Sequence, residues 1–187
     1  MKDYEHVVIW LDYFNKTLPR AKGRKLEKEK CVFDPSLKEL TEAAREEFFP
    51  IIYENSEAIS VIEIWPDEID QRGVHAANID GMRRAVNTLE KVPAYVLTDG
   101  YAIEGMAIPS LAIWKGDQVA NCISAASIVA KVHRDRIMIE LSKKYPQYGF
   151  ENHKGYVTSI HTQALNKHGV SEIHRRSYAN IATLLNN

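Results

Sequence analysis

The sequence predicts an α/β protein with a helical C-terminal part. Short apolar runs rich in β-branched residues alternate with stretches of helical spacing, the pattern of strands laid beside helices. From Asn121 onward the recognisable segments read as helix. A chain of 187 residues, 45% of them hydrophobic, suits one domain with room for a small appendage. That apolar content is too high for a wholly disordered chain.

Val7–Leu11 is all apolar with β-branched residues and reads as a buried strand. Lys16, Arg20, Lys22, Arg24, Lys25, Lys28 and Lys30 then crowd around Pro19 and Gly23. This is an exposed loop or hairpin, either solvated or in contact with phosphate. Thr41 followed by Glu42 is a helix start, with a capping hydroxyl and an acid in the first turn. Ala58–Trp65 alternates enough for a strand. Pro66 ends it, and Asp67–Asp70 opens a turn. Val74–Lys91 has helical spacing and is broken by Pro93. Ala94–Leu97 is a short buried strand with Asp99-Gly100 at its end. Ile108–Trp114 is another, leading into Lys115-Gly116-Asp117. The longest helix runs from Asn121 to about Lys144, opens with the small residues Ser124–Ser127, and is stopped by Pro146 and Gly149. Gly155–His168 is a further helix closed by Gly169, and Tyr178–Leu185 is a last one.

Composition excludes several classes. A net charge of −1 gives no global pull toward nucleic acid or membrane, so a polyanion site must be a local patch. Cys31 and Cys122 form no C-x-x-C pair, against a zinc ribbon or disulfide framework. The early apolar run is far too short for a signal-peptide core or a membrane span. The expectation is a soluble protein of a reducing compartment, most simply cytoplasmic. No H-E-x-x-H, P-loop, G-x-G-x-x-G or G-x-S-x-G pattern occurs.

Three groups remain as candidates. Asp99 stands at the end of a strand, where a carboxylate is placed for a ligand or metal, although a turn-forming Asp-Gly pair explains it equally. Asp135 lies in the long helix between Arg134 and Arg136. It is either a surface ion pair or, where the small residues let the helix approach a sheet closely, a partner for a strand-end carboxylate. His153-Lys154-Gly155-Tyr156 and His174-Arg175-Arg176-Ser177-Tyr178 mix cations with rings. They suit phosphate and sugar, or half-buried histidines with snorkelling arginines.

From about Ser36 to Tyr178 the chain resembles ribonuclease HII, the type 2 ribonuclease H family. The matching stretches stand in family order: LTEAAREEF at Leu40–Phe48, Glu68-Ile69-Asp70, VLTDG at Val96–Gly100, Lys115–Asp117 followed by ISAASIVAKVHRDR at Ile123–Arg136, YPQYGFENHKGY at Tyr145–Tyr156, and HRRSY at His174–Tyr178. The resemblance implies a ribonuclease H-like mixed sheet flanked by helices over residues 1–145, and a C-terminal helical extension over 146–187. It implies cleavage of the RNA strand of RNA–DNA hybrids and nicking of DNA beside an embedded ribonucleotide, with Mn²⁺ or Mg²⁺ as cofactor. Asp99 would be the third metal-binding acid and Asp135 the fourth. Tyr156 would stack on the sugar at the RNA–DNA junction, and Lys154, Arg175 and Arg176 would sit near phosphates. No membrane or protein partner is implied.

The chain departs from the family at its N-terminal end, where the D-E-x-G-R-G motif that carries the first two acids is not found. In one register Trp10-Leu11-Asp12 stands for the strand ending in the first acid. In the other, which residues 13–35 favour by containing nothing like G-R-G, Val7–Asp12 matches the family's second strand. The first strand is then missing, as from a late start or a truncated gene. The D-S-K segment reads Asp34-Pro35-Ser36-Leu37-Lys38, and Val157 replaces a family glycine after Tyr156. Two carboxylates make a thin cage for divalent ions, so weak metal affinity and low activity are expected.

Overall fold

The computed structural model describes residues 6–10 and 40–186. The expectations for residues 16–30, for Asp12 and for Asp34–Lys38 lie outside them. The described chain divides into two compact units, one of residues 6–10, 40–62 and 79–132, the other of 63–78 and 133–186.

The first unit holds β1 (His6–Trp10), α1 (Glu42–Asn55), β2 (Ala58–Ile62), most of α3 (Val74–Asn87), β3 (Val96–Asp99), β4 (Ser110–Ile113) and the first half of α4 (Asn121–Lys144). Among the described residues the strands form two separate ribbons. β1 pairs with β2 antiparallel, and β3 with β4 parallel. Both strand senses expected of a mixed sheet are present. Two-stranded ribbons are marginal by themselves, and here helices supply the burial. Phe48 and Ile52 of α1 form a core with Ala125, Ile128, Val129 and Val132 of α4, and Ile59 and Val61 of β2 pack against it. The small-residue opening of α4 therefore packs in one core with helix α1 and strand β2. As predicted, Thr41 caps α1, its Oγ1 accepting from the Ala44 amide at 3.2 Å.

The second unit holds α2 (Pro66–Arg72), the start of α3, the end of α4, α5 (Phe150–His153), α6 (Ser159–His168) and α7 (Ala179–Leu185). Its core joins Tyr148, Phe150, Leu165 and Ile181.

Several boundaries differ from expectation. Residues 66–72 are a helix opened by Pro66 rather than a turn after a strand, because proline suits a first helical position. β2 stops at Ile62, where its β1 partner begins at His6. α3 ends at Asn87, since the Thr88 hydroxyl bonds back to the Arg84 carbonyl at 2.8 Å and to the Ser60 hydroxyl at 2.6 Å. β3 starts two residues later than expected and includes Asp99 as its last residue. α6 begins at Ser159, not Gly155. Gly155 takes φ +80°, outside the helical range, and Thr158 caps the helix by accepting from the His161 amide at 3.2 Å. The short α5 was not expected.

Candidate active site

In the first unit the site is built around Asp99. The parallel register sets Asp99 opposite Ile113, and the Gly100 amide donates to the Ile113 carbonyl at 2.9 Å. The chain leaving β4 folds into a short 3₁₀ turn at Gly116–Gln118. The Gly116 amide donates to Asp99 Oδ1 at 2.8 Å, which fixes the carboxylate at the strand end. Gly116 is buried against Ile123: a Cβ at position 116 would lie 2.5 Å from Ile123 Cδ1, so that side chain would have to shift. The same turn carries Asp117. Sequence reasoning gave Asp117 no role, although it stands in the matched Lys115–Asp117 stretch.

In the second unit, Lys154-Gly155-Tyr156 form a sharp turn. Lys154 and Gly155 both take positive φ, +49° and +80°. Arg134 Nη1 donates to the Lys154 carbonyl at 2.8 Å, and its guanidinium lies 5.3 Å from the centre of the Tyr156 ring. Tyr156 is 38% exposed. A cation beneath a half-open ring is an arrangement suited to stacking on a sugar or base. Lys154 is only 9% exposed, and its ammonium donates to the Glu151 carbonyl at 2.6 Å.

The second basic segment is held by a residue that sequence reasoning missed. Asp70 Oδ2 accepts from the Arg176 amide at 2.7 Å, while Oδ1 accepts from the Ser177 amide at 2.9 Å and its hydroxyl at 2.5 Å. Partial burial pushes the Asp70 carboxyl up. The Ser177 hydroxyl, the Ser177 and Arg176 amides and the Arg175 charge outweigh it and hold the group below its ordinary value. Arg175 stacks 3.7 Å from the centre of the Tyr178 ring and bonds its hydroxyl at 2.9 Å, while Arg176 is exposed. A cavity of about 350 Å³ is lined by Arg134, Tyr156, Arg175 and Tyr178, and so connects both segments. The signal for Asp70 lay in the matched Glu68-Ile69-Asp70 stretch.

Asp99 belongs to the first unit and Asp135 to the second. Asp135 is 4% exposed, so it is no surface ion pair. Of the basic and aromatic candidates, Tyr156, Arg175 and Arg176 are accessible or half-accessible and Lys154 is buried. His153 and His174 are buried outright rather than half-buried. Carboxylate oxygens are the right donor type for Mg²⁺ or Mn²⁺. Among the described residues, however, no three His, Cys, Asp or Glu side chains come together to hold an ion. The described donors therefore do not complete a divalent-ion site. No helix among the described residues is long and apolar enough to cross a membrane.

The α/β scaffold is of the ribonuclease H fold class, as its superpositions on solved structures show. The structure of ribonuclease H2 from Pyrococcus horikoshii OT3 superposes with a TM-score of 0.68 at 24% identity, covering 80% of this chain and 79% of that one. The Mn²⁺ complex of Bst-RNase HIII superposes at 0.56 with 16% identity, covering 81% of this chain and 57% of that one. Within that class the chain belongs to the ribonuclease HII family, whose family model matches residues 23–181. A ribonuclease HII of Nocardioides sp. (strain ATCC BAA-499 / JS614) is 51% identical over 142 residues, which is 76% of this chain and 59% of the relative. The chain spans about 60% of the length of the curated relatives it matches.

Proposed function

We propose that this chain acts on nucleic acid as a ribonuclease HII: a metal-dependent endonuclease that cuts the RNA strand of RNA–DNA hybrids and nicks DNA beside an embedded ribonucleotide. The observation that carries the reading is the Gly155–Tyr156 turn, which presents a half-open ring with the Arg134 cation beside it. Tyr156 stacks on the sugar at the junction. Arg176 pairs with backbone phosphate, its main chain held by Asp70. Arg175 is already committed to Tyr178 and shapes the rim. Lys154 acts on phosphate only after releasing the Glu151 carbonyl. Asp99 is the principal carboxylate of the catalytic centre. The family resemblance pairs it with Asp135, and Asp117 follows Gly116, whose amide holds Asp99, on the Gly116–Gln118 turn. Mn²⁺ or Mg²⁺ is the ion, held weakly by so few described donors.

A second reading, a protein that binds hybrid duplexes without cutting them, is favoured by that same sparse donor set. One experiment separates the two. A labelled DNA duplex with a single ribonucleotide is incubated with the chain in Mn²⁺ and in Mg²⁺, beside an Asp99→Asn control. Cleavage 5′ of the ribonucleotide that disappears in the control supports the nuclease. Duplex binding in EDTA with no cleavage in either ion supports the binder. Neither binding nor cleavage by the folded chain overturns both.

A further inference from the structure

Three histidines lie buried beside the substrate-side turn: His153, His161 and His174. The rings of His153 and His161 stack at 4.5 Å, and those of His161 and His174 lie 5.4 Å apart. Phe150 contacts all three edge-on or tilted, closing the cluster from the core side.

Their partners determine where each proton sits, because a carbonyl can only accept and an amide can only donate. His153 Nε2 faces the Tyr148 carbonyl at 2.8 Å and must carry hydrogen. Its Nδ1 accepts from the Gly155 amide at 3.2 Å and must lack it. His161 Nδ1 faces the Tyr156 carbonyl at 3.1 Å and must carry hydrogen. His174 Nδ1 accepts from the Ser171 amide at 3.1 Å and must lack it. The remaining contact, His161 Nε2 to His174 Nε2 at 3.2 Å, then has one consistent direction: His174 donates and His161 accepts. The Ser171 hydroxyl, 2.7 Å from His174 Nδ1, is a second donor to that nitrogen.

We infer that His153, His161 and His174 are positioning residues. They form a neutral relay with one direction of donation, Ser171 to His174 to His161 to the Tyr156 carbonyl, which ties the segment bearing Arg175 and Arg176 to the turn bearing Tyr156. His153 holds the same turn from its other side. Together with Arg134, these histidines fix four polar backbone groups of the turn. The Lys154 carbonyl is held by Arg134, the Gly155 amide by His153 Nδ1, the Tyr156 amide by the His153 carbonyl at 2.8 Å, and the Tyr156 carbonyl by His161. Ring and cations are thus set in register before any duplex arrives, which spares ordering cost on binding. The substrate part of this inference rests on the proposed function; the proton positions do not.

The surroundings favour the neutral form. Burial and the neighbouring His161 hold His174 down at about 4, against a smaller upward pull from Ser171. Burial and His153 likewise keep His161 low despite its bonds to backbone. The charged groups on the adjoining cavity wall are Arg134 and Arg175, both cations, with Glu63 as the carboxylate. Two cations disfavour a third charge in the relay.

The test is nitrogen-detected NMR of the histidine-labelled chain at pH 7. Hydrogen is expected on His153 Nε2, His161 Nδ1 and His174 Nε2, with the other three ring nitrogens bare. A protonated ring, or any other tautomer in the relay, overturns the inference. Two variants then probe the link to the turn. His161→Asn keeps an N–H near the Nδ1 position and His161→Leu removes it. Hydrogen exchange of the Gly155 and Tyr156 amides should quicken about tenfold in His161→Leu and stay within about twofold in His161→Asn. Equal exchange in both variants overturns the positioning role. Affinity for a labelled RNA–DNA hybrid in EDTA should fall about fivefold in His161→Leu alone. If the parent chain binds no hybrid, the functional reading fails, and the exchange result still decides the relay.

Discussion

Gly155 illustrates how much a single residue carries here. It takes φ +80°, and a Cβ there would lie 3.2 Å from Met138 Cε and 3.6 Å from Arg134 Nη2. Gly155→Ala should cost about 1–3 kcal/mol in thermal stability through backbone strain. It should also lower hybrid affinity, because the turn that aims Tyr156 is displaced; anisotropy titration in EDTA measures this. The acids divide in a testable way. Asp117 is half-buried on the turn that holds Asp99, whereas Asp135 is 4% exposed. Asp117→Asn should reduce Mn²⁺-supported cleavage as Asp99→Asn does, with melting unchanged. Asp135→Asn should act chiefly on the melting temperature. A loss of cleavage confined to Asp135→Asn would instead make that buried acid the partner of Asp99. Asp70 and Asp117 were both legible as letters inside matched stretches. Their roles were not, because Asp70 receives a segment from more than a hundred positions away and Asp117 rides on a turn whose amide reaches the end of another strand.

At the scale of elements, local chemistry sets the ends of helices and tertiary packing sets their worth. Thr41→Ala removes one cap bond and should destabilise by about 1 kcal/mol. Phe48→Ala empties a site in the α1–α4 core and should cost about 3–5 kcal/mol. Chemical denaturation of both variants checks the ratio; similar losses would mean that the α1–α4 packing is not the main support of this unit. The start of α1 was readable because a capping hydroxyl followed by an acid acts within one turn. The true start of α6 was not, since helical spacing after Gly155 continues across a turn that only its φ values reveal. Pro66 was misread in the same way: proline both ends strands and opens helices.

For the whole molecule, the buried histidines predict how stability follows pH. A histidine with a depressed folded value binds its proton more readily when unfolded. The unfolded chain therefore takes up protons first as pH falls below the ordinary value of 6.5. Stability should be full above about pH 6.5 and decline as pH falls toward about 4, where His174 titrates in the folded state. The depressed Asp70 adds a separate loss only below its ordinary value of 3.8. Urea unfolding from pH 8 to pH 3.5 measures the slope. A flat profile between 6.5 and 4.5 would show that the relay histidines titrate alike in folded and unfolded chains.

What the sequence determined by itself is the α/β class, the order of most elements, and the family, because periodicity, caps and ordered motifs act locally along the chain. It also pointed to Asp99, which stands at a strand end in any α/β reading. Only the tertiary structure decided that the Gly116 amide holds Asp99, that Asp70 clamps Arg176 and Ser177, that Lys154 is buried, and that the histidines form one directed relay. The Asp70 clamp joins residues 106 positions apart and the bond to Asp99 residues 17 apart, while the bond between the relay histidines spans 13 positions across a turn and a helix. Hydrogen bonds are short and directional, so such contacts exist only once the packed backbone has set both partners in place.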